Sequence, residues 1–217
     1  GTGEGNGLGG GNPYLNGMGV MKSTDGGLSF SALSSTTTNS DFATCNSIAC
    51  SNNPNLTNRV FVGTSEGLMV SDDGGASWIK HIDNDFINDI ISFSNGAVLV
   101  AGRSSVYYSP NGTLGSYTQN TLGMFSSRTR IANCVTQENN VYAVFTYNKV
   151  QAVYKSTNYG ATWTLVNHPN TGTYGSYTLQ IGVHPLDPNK LVVGGIKMYF
   201  SLDGGNTWAK SATSHDD

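Results

Sequence analysis

Carboxylates gather in one short stretch of this chain. "HIDNDFIND" (His81 to Asp89) carries Asp83, Asp85 and Asp89. Two carboxylates about 5 Å or 6.5–9.5 Å apart can hydrolyse a glycosidic bond, one as acid and one as nucleophile or base. Grouped oxygens also suit calcium, but the stretch lacks the order of oxygens and glycine of an EF-hand loop. A linear sequence fixes no distance, so a solvated acidic connection between strands is the plainer reading. Asp85 and Asp89 are kept as candidate ligand contacts. A second group lies in "NHPNTGTYGSY" (Asn167 to Tyr177), where His168 stands with Tyr174 and Tyr177, and a third is Tyr14 in "EGNGLGGGNPYLNG" (Glu4 to Gly17). Aromatic rings among amides suit the face of a sugar; the plainer reading is a polar loop propped by its tyrosines. The glycines from Gly5 to Gly10 fit a loose GxGxxG, but no helix follows to receive a phosphate. "GMGVMKS" is no phosphate loop either, since no glycine directly precedes Lys22.

The remaining acids repeat. "MKSTDGGLSF" (Met21 to Phe30), "MVSDDGGASW" (Met69 to Trp78), "YKSTNYGATW" (Tyr154 to Trp163) and "YFSLDGGNTW" (Tyr199 to Trp208) share one pattern, Ser-x-Asp/Asn-x-Gly-x-Ser/Thr-aromatic. Asp and Asn accept hydrogen bonds from amides just ahead and so close a turn locally. Asp25, Asp73, Asn158 and Asp203 stand at that position. Ser23, Ser71, Ser156 and Ser201 lead the pattern, and Gly27, Gly75, Gly160 and Gly205 supply conformational freedom. Phe30, Trp78, Trp163 and Trp208 are expected to bury their rings against the sheet. Asn158 can bond like an aspartate but cannot act as a catalytic carboxylate. The pattern is therefore assigned to structure.

Before each box lie two apolar runs around a short turn, as in "RVFVGTSEGLMVS" (Arg59 to Ser71) and "LVVGGIKMYFS" (Leu191 to Ser201). They are rich in β-branched and aromatic residues and read as strands. "IACSNNPN" and "IGVHPLDPN" add one earlier strand ending in a Pro-Asn turn, and no stretch has a convincing helical period. A fifth, eroded box stands at "YSPNGTLGSY" (Tyr108 to Tyr117). The leading serines, at 23, 71, 109, 156 and 201, are 48, 38, 47 and 45 residues apart. A four-stranded unit at that period is a β-propeller blade, so the fold class is all-β propeller. The expected organisation is one propeller segment over 1–217: a partial blade at 1–35 and blades at 40–82, 86–120, 128–167 and 177–212. In such blades the box turns lie on one face, and the second-to-third turns and blade-to-blade connections lie on the other.

The box resembles the Asp-box, or bacterial neuraminidase repeat, of sialidases, sortilin-type receptors and secreted bacterial propellers. "GTGEGNG…GMGVMKSTDGG" and "HPLDPNKLVVGG…SLDGGNTW" look most like large secreted proteins of Bacteroidota-type bacteria. The resemblance implies a secreted or cell-surface protein without naming an activity. A sialidase needs three clustered arginines, a Tyr/Glu pair and a further acid. This chain has only Arg59, Arg103, Arg128 and Arg130, so sialidase activity from these residues alone is not expected.

Composition narrows the partners. Only 12% of the 217 residues are charged and the net charge is -3, so no basic face invites nucleic acid. No apolar run approaches the ~20 residues of a membrane span. Cys45, Cys50 and Cys134 match no zinc spacing; either a Cys45–Cys50 loop disulfide or buried free thiols would fit. No metal or cofactor is expected. "GTGEG" at the start matches "GTSEG" (Gly63 to Gly67), the end of a second strand, so the chain is expected to begin in mid-blade as part of a propeller of six or more blades. Its expected partners are further blades, of a longer parent chain or of another chain. The leading functional expectation is a binding or scaffolding module for a glycan or a cell-surface protein. The other is part of a glycoside hydrolase with catalytic groups on further blades, and a third is a structural exoprotein without a ligand.

Overall fold

A computed structural model describes residues 17–122, 128–147, 150–167, 169 and 178–212. The described residues open with a two-stranded ribbon, β1 (Met21–Lys22) and β2 (Ser31–Ala32). Four four-stranded antiparallel sheets follow, each laid down in sequence order. The first is β3 (Cys45–Cys50), β4 (Val60–Thr64), β5 (Gly67–Ser71) and β6 (Ile79–Asp83). The second is β7 (Asp89–Ser92), β8 (Val98–Ala101), β9 (Val106–Ser109) and β10 (Thr118–Asn120). The third is β11 (Thr129–Cys134), β12 (Gln137–Tyr147), β13 (Val150–Ser156) and β14 (Thr164–Val166), and the fourth is β15 (Gln180–His184), β16 (Asp187–Gly194), β17 (Met198–Ser201) and β18 (Ala209–Lys210). The first strands β3, β7, β11 and β15 lie beside one another in turn. The sheets are therefore propeller blades with their first strands innermost.

Burial along each blade follows its neighbours. Where a blade has neighbours on both faces its middle strands are covered, so β5 (Gly67–Ser71) and β8 (Val98–Ala101) are buried at every position, while β17 of the fourth blade stays partly exposed. Their sequences are accordingly near-continuous apolar runs rather than alternating ones. The outer strand β10 is polar and largely exposed. The core therefore sits between blades. Phe61 and Val70 of one blade meet Ile87, Ile90 and Val98 of the next; Leu99 and Val106 meet Val141, Ala143 and Phe145; Tyr142, Val144 and Val153 meet Leu191 and Val193. Each fully buried Leu, Val or Phe contributes about 1.5–3 kcal/mol relative to exposure.

Three expectations need correction. The connection before β3 holds a single helical turn, α1 (Ser34–Thr37), and a 3-10 turn (Ser40–Phe42). Phe42 from that turn is fully buried beneath Trp78, with ring centroids 5.1 Å apart. Phe30 does not bury its ring; it is 60% exposed, because box aromatics pack on the preceding blade and no described blade precedes β1. Neither cysteine reading holds in full. Among the described residues no disulfide forms, Cys45 and Cys134 are buried, and Cys50 is exposed at the far end of β3.

Candidate functional site

The four boxes build nearly the same turn. In the first complete blade Ser71 Oγ donates to Asp73 Oδ1 (2.7 Å) and accepts from Gly75 N–H (2.8 Å), while Asp73 accepts from Ser77 N–H (2.9 Å) and Ser77 Oγ (2.6 Å). Ser23, Asp25, Gly27 and Ser29 repeat these bonds, as do Ser201, Asp203, Gly205 and Thr207. In the third blade Asn158 Oδ1 accepts from Thr162 N–H (2.9 Å) and its Nδ2 donates to Thr162 Oγ1 (2.9 Å). Both oxygens of each box aspartate thus bond within the turn. The hydroxyls of Ser29 and Ser77 hold Asp25 and Asp73 well below the usual carboxylate range, and Thr207 brings Asp203 down to about 2. Where the other boxes have Gly26, Gly74 and Gly204 at positive φ, the third has Tyr159 at φ +63°. Its ring packs edge-on against Phe93, centroids 5.2 Å apart, which offsets the backbone strain.

The tryptophan of each of the three later boxes reaches the preceding blade or its exit. Trp78 Nε1 donates to Ser35 Oγ (3.1 Å) and Trp208 Nε1 to the Asn167 carbonyl (3.0 Å), while Trp163 packs with the Leu99 cluster. The eroded box differs. Asn111 Oδ1 accepts from Thr113 N–H (3.1 Å), and Gly112 N–H reaches Ser109 Oγ (2.7 Å) one residue earlier than its counterparts. Arg59 of the preceding blade pairs with Asp72 and donates Nη1 to the Asn111 carbonyl (3.2 Å), tying two boxes together.

Strand direction puts Asp85 and Asp89 at the other end of the blades. Of the three clustered acids only Asp85 lies within the connection; Asp83 ends β6 and Asp89 opens β7. Asp85 fastens that connection to the β8–β9 turn, where Arg103 N–H donates to Oδ1 (3.1 Å) and the Tyr107 hydroxyl to Oδ2 (2.9 Å). A Cβ on Gly102 would come within 2.0 Å of Asp85 Oδ2, so the approach requires glycine. Burial, and then the Asp85 charge, push the Tyr107 phenol well above its ordinary range. The Arg103 guanidinium lies 5.4 Å from the Phe86 ring centroid, a cation–π contact.

Asp89 joins inner strands. Its Oδ1 accepts from Ile90 N–H (3.1 Å), its Oδ2 from Ile131 N–H of β11 (3.4 Å), and Arg130 Nη1 lies 3.7 Å from Oδ2. Arg130 also donates Nη1 to the Asn88 carbonyl (3.0 Å), and Nε and Nη2 to Gln180 Oε1 (3.2 and 3.1 Å). Around the same ring, Asn46 Nδ2 donates to the Ile87 carbonyl (3.0 Å). Burial raises the Asp89 pKa, and the Arg130 charge opposes that rise. Burial, then Arg130, lowers the Arg128 pKa, and Asp89 raises it. Two guanidinium groups thus act on one carboxylate at the inner-strand entrance. The side chains of Arg130 and Asp89 keep 21% and 25% of their surface exposed.

The structure therefore brings Asp85 and Asp89 to one face and engages both in protein hydrogen bonds. Tyr14, His168, Tyr174 and Tyr177 lie outside the described residues. Sequence reasoning missed Asn88, Arg103, Tyr107 and Gln180 as members of this face. Their signal is positional: each stands at a second-to-third turn or at the mouth of a first strand. Among the described residues, the pairing of two arginines with one carboxylate near the axis suits recognition of an anionic or hydrogen-bonding group.

No family model matches the sequence and no curated protein matches it. Solved structures do. An ancestral GH74 enzyme superposes with TM-score 0.70 at 22% identity over 91% of this chain and 29% of its own. The GH74 enzyme of Niastella koreensis gives TM-score 0.57 at 16% identity over 90% of this chain and 47% of its own. PorZ, a surface component of the type-IX secretion system of Porphyromonas gingivalis, gives TM-score 0.51 at 13% identity over 85% of this chain and 23% of its own. These likenesses show the β-propeller fold, and the chain spans less than half the length of each. Among the described residues no helix is long and apolar enough to cross a membrane.

Proposed function

We propose that this chain is a secreted or cell-surface Asp-box propeller segment, of the sialidase/sortilin-like superfamily, that binds a glycan or protein partner and carries no catalysis by itself. In this reading it belongs to a propeller of six or more blades, and the box residues are structural. The observation that carries it is the group of Arg128, Arg130 and Asp89 at the axial end of the connection face, where two guanidinium groups act on one carboxylate and the side chains of Arg130 and Asp89 remain partly exposed. The partner is expected to present an anionic group there, as an acidic sugar or an acidic protein surface does. The likeness to PorZ, a surface component, supports the location.

The second reading, part of a glycoside hydrolase, is favoured by the raised pKa of Asp89, which suits a general acid, and by the likeness to GH74 enzymes. It needs a second carboxylate, and among the described residues the charged groups that act on Asp89 are Arg130 and Arg128. The test is titration of the chain with acidic and neutral polysaccharides, with release of reducing ends followed in parallel. The expected result is saturable binding of an acidic polysaccharide without turnover, weakened about tenfold or more by Arg130→Gln, as loss of a charged hydrogen bond implies. Reducing ends that appear with the parent chain and vanish with Asp89→Asn would instead establish the hydrolase.

A further inference from the structure

Hydrogen bonds on the connection face stitch the seam between the second and third blades. At its axial end Ile131 N–H donates to Asp89 Oδ2 (3.4 Å) and Arg130 Nη1 to the Asn88 carbonyl (3.0 Å). Farther from the axis, Thr129 Oγ1 donates to the carbonyl of Arg103 in the β8–β9 turn (3.0 Å). Thr129 is fully buried and stands between Arg128 and Arg130 in sequence. Its hydroxyl therefore fixes a third arginine, from the neighbouring blade, beside the pair near the axis.

Arg103 is held before any ligand arrives. Its N–H donates to Asp85 Oδ1 (3.1 Å), its carbonyl accepts from Thr129, and its guanidinium lies 5.4 Å from the Phe86 ring centroid. Asp85 meets it through the backbone alone, and the other Asp85 oxygen accepts from the Tyr107 hydroxyl (2.9 Å). Among the described residues no carboxylate pairs with the Arg103 guanidinium, and Arg103 is exposed. Arg59 differs, since its guanidinium is taken up by Asp72 and the Asn111 carbonyl. A guanidinium placed over a ring still offers its N–H groups to an oxyanion.

We propose, resting on the binding function above, that Arg103 is a second contact point for the ligand of this face. The ligand is a linear chain of uronic acid sugars that runs outward along the seam, with one carboxylate at the Arg128–Arg130 group and a later one at Arg103. Backbone bonds hold both points, so the distance between them is fixed. A sugar chain with a carboxylate on each ring carries its charges at a fixed repeat and meets such points with little loss of freedom. An acidic peptide would have to immobilise a flexible side chain at each contact, and a neutral sugar chain would bring Arg103 no oxyanion.

The test is calorimetric titration of the full chain with galacturonic acid and its oligomers of increasing length, for the parent, Arg103→Gln and Arg130→Gln. Arg103→Gln keeps both backbone bonds, so its melting temperature is expected to match the parent's. The parent's affinity is expected to step up at the length that spans both points. In Arg103→Gln that step is expected to shrink about tenfold, as loss of one charge-assisted contact implies. Arg130→Gln is expected to lower affinity at every length. A step as large in Arg103→Gln as in the parent would overturn the second contact point. So would a loss equal at every length, which would put Arg103 at the same point as Arg130. Polyglutamate bound more tightly than every oligomer would overturn the choice of a sugar chain. Failure of all these anions to bind would overturn the binding function itself, and the second contact point with it.

Discussion

At the residue scale, the box shows how a carboxylate can be recruited for geometry. Asp73 accepts from an amide and two hydroxyls inside its own turn, and Asn158 occupies the same place with an amide. Asp73→Asn is therefore expected to keep the neutral-pH melting temperature, whereas Asp73→Ala, which leaves three donors unanswered, lowers it. The pH dependence has a definite sign. The folded pKa of Asp73 is depressed, chiefly by the Ser77 hydroxyl, so its contribution is present above the unfolded value and lost as pH falls through the folded one. Asp73→Asn, with nothing to titrate, should lose less stability between about pH 5 and about pH 2. Asp89 behaves oppositely, because burial raises its folded pKa; its cost to stability grows as pH rises through the carboxylate range. The stability of Asp89→Asn relative to the parent should improve from about pH 3 to about pH 7, as thermal melts across that range would show.

At the element scale, strands were legible wherever apolar runs ended in a Ser-Asp-Gly turn. The alternation and the fixed place of the serine specify register, since each box serine pairs with the residue that begins its neighbour's apolar run, as in Val60–Ser71 and Leu191–Ser201. The short helical turns before β3 were not legible: "SSTT" has no helical period and gains its shape by supplying Ser35 and Phe42 to Trp78. The exposure of Phe30 was missed for a related reason, because the pattern marks a box aromatic but not whether a blade lies in front of it. Interface packing gives a direct test. Leu99→Ala should cost about 2–5 kcal/mol by leaving a cavity. Gly160→Ala, at φ +93° and with its Cβ against Leu99, should cost about 1–3 kcal/mol by overpacking. The double variant is expected to cost less than the sum, since removing the leucine makes room for the methyl, and denaturant titrations of the set measure the coupling.

At the scale of the whole molecule, inner strands side by side create two faces with different chemistry. One carries the boxes, whose Asp and Asn side chains at the turn position bond within their own turns. The other carries Asp85, Asp89, Arg103, Arg128 and Arg130. Asp85 and Asp89 could be read from the chain as a local cluster. Their partners could not, because Arg130, which pairs with Asp89, and Gln180, which holds Arg130, lie 41 and 91 residues beyond Asp89 in sequence and come together only through the ring of first strands. Contacts within one blade hid the role of Asp85, which is fixed by Arg103 of the β8–β9 turn and by Tyr107 of β9.

The division of labour between the two faces is the claim on which the rest depends. Hydrogen exchange of the chain with and without a saturating acidic polysaccharide tests it most directly. Protection on binding is expected at residues 85–89, 102–107 and 128–131, with the box turns at 71–78, 156–163 and 201–208 unchanged. Protection confined to the box turns, with the connection face exchanging as before, would contradict it.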